Sequence, residues 1–129
     1  MFETNSQQIV NTAVAIVGRY IEGKRNFSGA NLVNADLQGV DLKGSDFSYA
    51  DLGEANLNGA NLRGCDLSFA NLNQVNLQNA DLRGALLFSA DLRQADLKGA
   101  KLEKADCDRN TLFPQDFDPA QAGLQIKER

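Results

Sequence analysis

A large apolar residue returns at every fifth position from Phe27 to Leu102, by way of Leu32, Leu37, Leu42, Phe47, Leu52, Leu57, Leu62, Leu67, Leu72, Leu77, Leu82, Leu87, Leu92 and Leu97. Two places before each stands a small residue, usually Ala, and one place before stands Asp or Asn. The phrase reads Ala-Asn-Leu at 30–32, 55–57 and 60–62, and Ala-Asp-Leu at 35–37 and 50–52. A period of five fits neither regular element. A helix turns about 100° per residue, so these side chains would precess around it and leave no apolar face. A long strand would send successive ones to opposite sides. They share one interior only if the chain turns after every phrase, and tandem turning units build a solenoid.

A longer rhythm sets the number of sides. Ser28, Ser48 and Ser68 lie twenty residues apart, as do Lys43, Arg63 and Arg83, and Gly44, Gly64 and Gly84. Phe27 and Phe47 keep that spacing, and Gly39, Gly59 and Gly99 fall at multiples of it. Four phrases then make one coil of square section, and coils stack by parallel backbone hydrogen bonds at roughly 4.8 Å. The expected fold is an all-β solenoid, a quadrilateral β-helix of about four coils and about 20 Å in length. The central Leu or Phe fills the axis and supplies about 1.5–3 kcal/mol per buried side chain. The Ala points inward near the corner. The Asp or Asn bonds nearby backbone N–H groups at the turn. The last two places face solvent.

Both ends of such a tube expose apolar side chains and open strand edges, so each needs a cover. Residues 1–24 supply one. Ile9, Val10, Ala13, Val14, Ile16, Val17, Tyr20 and Ile21 recur at helical spacing, predicting a helix over about 5–22. Thr4 and Gln7 have the spacing of a capping box. The apolar run at 9–17 is too short to span a membrane and no Lys or Arg precedes it, which argues against an export signal and for a lid. Residues 25–109 carry the coils. Residues 110–129 form a degenerate cap: Leu112 and Phe117 stay on the inward beat, and Pro114 and Pro119 cannot donate to another coil. The stretch 124–129 is expected to be loose.

Tandem Ala-(Asp/Asn)-Leu-x-x resembles the pentapeptide-repeat proteins, over roughly two-thirds of the chain. The resemblance implies a right-handed quadrilateral β-helix, and the wording of the tail is similar to small cyanobacterial members. It also implies one candidate activity, the DNA mimicry of gyrase-inhibiting members, which are inhibitors of a type II topoisomerase. That role is associated with a long acidic rod that dimerises. Here the rod is short, and the outward places include Lys43, Arg63, Arg83, Arg93 and Lys98.

Chemistry finds few candidates. The chain has no His, so it offers no imidazole triad or ligand, and no calcium-loop spacing is present. Asp36, Asp41, Asp46, Asp51, Asp66, Asp81, Asp91 and Asp96 occupy the place the repeat itself demands. No catalytic, cofactor or metal residue is assigned. Cys65 and Cys107 both take inward places, about two coils apart and too far for a disulfide, which suits a reducing compartment. With net charge −4 and no strongly basic tract, binding to DNA phosphates is disfavoured. A basic column, Lys43, Arg63 and Arg83, is either balanced by Asp41 and Asp81 or faces an anionic partner. An apolar group, Tyr49, Phe69, Leu86 and Phe88, falls on outward places of the side centred on Phe47, Leu67 and Leu87. It is either a contact patch or a set of side chains covering one another. The expected function is a non-enzymatic interaction or scaffold module in the cytoplasm, binding an unknown protein partner. No cofactor, nucleic acid or membrane is involved, and the chain is a monomer or weak homodimer.

Overall fold

The computed structural model describes residues 6–128, with side chains from Thr12 onward. Each phrase closes on itself by one turn. The N–H three places after the centre donates to the carbonyl of the centre, from Ala30 to Phe27 (3.1 Å) through Ala55 to Leu52 (2.9 Å) to Ala105 to Leu102 (3.0 Å). The residue two places after the centre has positive φ at every corner, as at Tyr49 (63°), Glu54 (59°) and Gly44 (75°). A turn with positive φ only at its third residue is of type II. The glycine rhythm thereby has a cause: Gly29, Gly39, Gly44, Gly59, Gly64, Gly84 and Gly99 all stand at that place, where a Cβ is strained. The Asp or Asn before the centre works as expected. Its Oδ1 accepts the N–H two residues on, from Asn26 with Ser28 (3.1 Å) to Asp96 with Lys98 (3.1 Å).

Between corners each side is too short for more than one ladder rung. Parallel bridges join residues twenty apart: Asn26 to Asp46, Asp46 to Asp66, Asp66 to Leu86 and Leu86 to Asp106 on one wall, with the same step on the other three except from Asp91 to Leu112. Along each wall the N–H of the centre donates to a carbonyl of the coil above, as Leu32 does to Asp51 (2.7 Å), and an N–H of that coil donates back, as Asp51 does to the Ala30 carbonyl (2.9 Å). The axis is filled by the expected ladder, with the central residues from Phe27 to Leu92 and Leu102 all buried. Leu97 departs from the expectation and is only partly buried. Its wall ends there, because Asp96 bridges back to Asn76 and to no later coil.

Helix α1, Ser6–Ile21, lies over the first coil. Ala13 and Ile16 are buried and Val17 and Tyr20 pack against the axial core, so the lid has a real seat. Val14 and Ile21 were expected on the apolar face, but both are exposed. Thr4, and the side chains of Gln7, Ile9 and Val10, lie outside the described residues. The helix stops at Gly23 (φ 95°), with Gly23 N–H donating to Tyr20 (2.9 Å) and Lys24 N–H to Arg19 (2.9 Å), the paired bonds of a Schellman motif. The Tyr20 hydroxyl donates to the Lys43 carbonyl at 2.7 Å, fastening the lid to the edge of the first coil, and Arg25 stacks over the Tyr20 ring at 3.7 Å.

At the other end the register slips. Asp91 bridges Leu112 rather than residue 111, so one residue is inserted in the coil. Thr111 therefore takes the buried inward place, Leu112 is turned outward at 43% exposure, and Phe113 moves toward the axis. Leu112 is thus a correction to the five-residue count. Phe117 does pack on the core and stacks on Phe113, with centroids 5.1 Å apart. The expected loose tail is also corrected. Strand β1, Asp106–Asp108, pairs in parallel with β2, Gln125–Lys127, in the register Asp106 with Gln125, and Leu124 is buried beneath it.

Candidate interaction walls

The wall centred on Phe47 and Leu67 carries the aromatic group. Tyr49 and Phe69 occupy the same corner place in successive coils. Their rings stack almost parallel, 3° between planes and 4.9 Å between centroids, and remain 64% and 46% exposed. Both residues sit at φ 63°. A bulky side chain in that region is uncommon. Phe88 does not join them on the surface. It is only 8% exposed, which corrects its place in the patch. Phe88 stands at the first residue of its turn, a place that is buried also at Gly53 and Ser68 but exposed at Ser28, Lys43 and Arg63. Leu86 is half-buried in the ladder between Asp66 and Asp106. The surface of the patch therefore reduces to the Tyr49–Phe69 stack.

Carboxylates flank that stack. Asp46 Oδ1 accepts from Ser48 N–H (2.9 Å) and from the Ser48 hydroxyl (2.6 Å), and Asp66 Oδ1 accepts from Ser68 N–H (2.9 Å). Around the same corner, Asp51 holds Gly53 N–H (3.1 Å) and takes Asn71 Nδ2 from the next coil (2.9 Å), with Glu54 exposed beside it.

The basic column is less uniform than its spacing suggested. Arg83 is clamped to its own Asp81 by two bonds, Nε to Oδ1 at 2.9 Å and the second ion-paired nitrogen to Oδ2 at 2.6 Å. The Arg83 guanidinium holds the Asp81 carboxyl below the usual carboxylate range. Arg93 does the same to Asp91 at 2.9 Å. Asp41, by contrast, accepts the Lys43 backbone N–H (3.1 Å). Neither Lys43 nor Arg63 has an ion-pair partner among the described residues. Glu103 takes the next place in the column and, with Arg63, Arg83, Gly84 and Lys104, lines a shallow hollow. Local compensation thus operates at Arg83, through Asp81, as one of the two sequence alternatives required.

The interior holds thiols. Cys65 and Cys107 are free and buried. The Cys65 thiol donates to the Leu42 carbonyl at 3.1 Å, and burial pushes its pKa up to about 11. Burial also raises Cys107. Among the described residues no group of three or more His, Cys, Asp or Glu side chains could hold a metal ion, and no helix is long and apolar enough to cross a membrane. One knot was invisible in the sequence pattern. Buried Asp108 accepts N–H groups of Ser89 and Asn110, both at 3.1 Å, while Thr111 donates to the Leu87 carbonyl at 2.8 Å and accepts from Asp108 N–H at 3.0 Å. The only sequence signal was the break in the phrase at Cys107-Asp108-Arg109-Asn110.

Axial leucines, type II corners and side-chain-bonded Asp or Asn define a four-sided solenoid whose outward places alone are free to vary. A model of pentapeptide repeats, in 8 copies, matches residues 26–64 and 65–103. The chain belongs to the pentapeptide-repeat family, whose members fold as right-handed quadrilateral β-helices. It is similar to the crystal structure of alr5209, a pentapeptide-repeat protein from Nostoc Pcc 7120. The identity is 66%, with 90% of this chain and 96% of that one covered and a TM-score of 0.89. A pentapeptide-repeat protein from the thylakoid lumen of Arabidopsis thaliana is 31% identical over 64% of this chain and 61% of its own, at TM-score 0.54. Rfr23 from the cyanobacterium Cyanothece 51142 is 35% identical over 68% and 63%, at TM-score 0.48. Among curated proteins none matches.

Proposed function

We propose that the protein is a non-enzymatic interaction module: a rigid rod of about four coils, capped by α1, that docks a protein partner on the wall bearing Tyr49 and Phe69. The observation that carries this reading is the exposed parallel stack itself. Two large rings occupy corner places that the other phrases fill with Gly or a polar residue, and they contribute no burial to the axis. The free, buried thiols support a cytoplasmic, reducing setting. The chain acts as a monomer or weak homodimer and needs neither cofactor nor nucleic acid. The test is quantitative pull-down from source-organism lysate with the intact protein and a Tyr49→Gly/Phe69→Gly variant. A defined partner retained by the first and lost by the second is expected; identical recovery would refute the assignment of the wall. Gyrase inhibition is the competing function. The Lys43 and Arg63 cations on the adjacent basic wall speak against it, and strong inhibition of supercoiling by the purified protein would reverse that judgement.

A further inference from the structure

Over the first three coils the two walls that meet at the Tyr49–Phe69 corner carry carboxylates and no cation; Arg93 enters only in the fourth coil, paired to Asp91, and Lys24 and Arg25 precede the first. Residues 26–34, 46–54 and 66–74 form these walls over three coils, and they contain Asp46, Asp51, Glu54 and Asp66 but no Lys or Arg. Asp46 and Asp66 each give one oxygen to their corner. Their other oxygens have no donor among the described residues. The ring stack also has an open end. The corner place one coil before Tyr49 is Gly29, which has no side chain, and a Cβ built there would meet nothing within 4 Å. Tyr49 meets Phe69 with one ring face, and its other face is turned toward the coil of Gly29.

We propose that this corner takes an arginine-bearing segment of the partner polypeptide, with a guanidinium stacked on the free face of Tyr49 and paired to the carboxylates of Asp46 and Asp66. The inference rests on the interaction reading above and names the chemistry of what docks. A flat ring face open on one side suits a planar guanidinium, which stacks and forks its donors toward carboxylates, better than a compact, strongly hydrated ammonium. A cage for a quaternary ammonium needs rings converging from several sides, and here the two rings are parallel. The molecule already makes one such contact internally, with Arg25 lying 3.7 Å over the Tyr20 ring.

The probe is a labelled nona-arginine peptide against nona-lysine of equal charge, titrated by fluorescence anisotropy at physiological salt. Arginine is expected to bind about three- to tenfold more tightly than lysine, and the preference is expected to vanish in Tyr49→Gly/Phe69→Gly. Asp46→Asn/Asp66→Asn provides the second arm. Asn already makes the same corner bond at Asn56 and Asn61, so this variant keeps the fold while removing two charges. It is expected to weaken both peptides. Equal binding of the two peptides, or an arginine preference untouched by both variants, overturns the proposal. A wild-type dimer in sedimentation that the aromatic variant abolishes would assign the wall to a second copy and overturn it as well. If the lysate partner is still lost with the aromatic variant while nona-arginine shows no preference, the interaction reading stands and only the guanidinium assignment falls.

Discussion

Replacing Ser45 with Ala should make the protein more stable. Ser45 stands at the small inward place before Phe47, where the following coils have Cys65, Ala85 and Ala105. It is 1% exposed, and its Oγ is buried with no hydrogen-bond partner among the described residues. The neighbouring Cys65 thiol has found the Leu42 carbonyl instead. A buried hydroxyl left unpaired is unfavourable by about 1–3 kcal/mol. Removing one oxygen opens a void on the order of 10–15 Å³, which at about 24 cal/mol per Å³ returns only about 0.3 kcal/mol. The net gain is about 1–2 kcal/mol, which for a domain of this length raises the melting temperature by roughly 4–8 °C. Thermal melts and urea titrations followed by circular dichroism measure it. Ser48→Ala is the control, since that hydroxyl is bonded to Asp46 at 2.6 Å, and a loss of up to about 1 kcal/mol is expected there. A Ser45→Ala protein that melts at or below the wild type would refute the reasoning and show that the hydroxyl has found a partner.

Cys65 should make stability sensitive to alkali. Its folded pKa of about 11 lies above the ordinary 9.0, so its contribution is complete below pH 9 and is lost as pH rises toward 11. Cys65→Ala should flatten that limb of a stability-against-pH curve, and in the native protein Cys65 should react with iodoacetamide only after unfolding. The register slip predicts that Leu112→Ser is nearly neutral, within about 0.5 kcal/mol, whereas Phe113→Ser loses 2 kcal/mol or more, by roughly the core-truncation scale; equal effects in denaturant melts would restore the uninterrupted count. Tyr49→Gly/Phe69→Gly should leave stability within about 1 kcal/mol of the wild type. Relief of two left-handed corners, about 1–2 kcal/mol each, offsets the lost stack and its partial burial. A loss above about 3 kcal/mol would make the pair a structural element.

The period alone determined a good deal. Leucines repeating every five residues have no common face on a helix or a strand, so they required a turning chain, and the twenty-residue recurrence of Ser, Gly and Arg required four turns per coil. The Asp and Asn bonds at the corners follow from side-chain length and position, and the structure has them where that argument puts them. Tertiary structure decided the rest, because a repeat predicts side-chain direction only while its count is unbroken. One added residue near Asp108 turned Leu112 outward and brought Phe113 in, and nothing local in the sequence said where the count would resume. Leu124 and β2 are ordered by the upper edge of Asp106–Asp108, a surface that exists only once the coil beneath it has closed. The place after the centre reads as outward in the pattern, yet Phe88 is buried there, while Tyr49 and Phe69, one residue further on in their turns, stay in solvent.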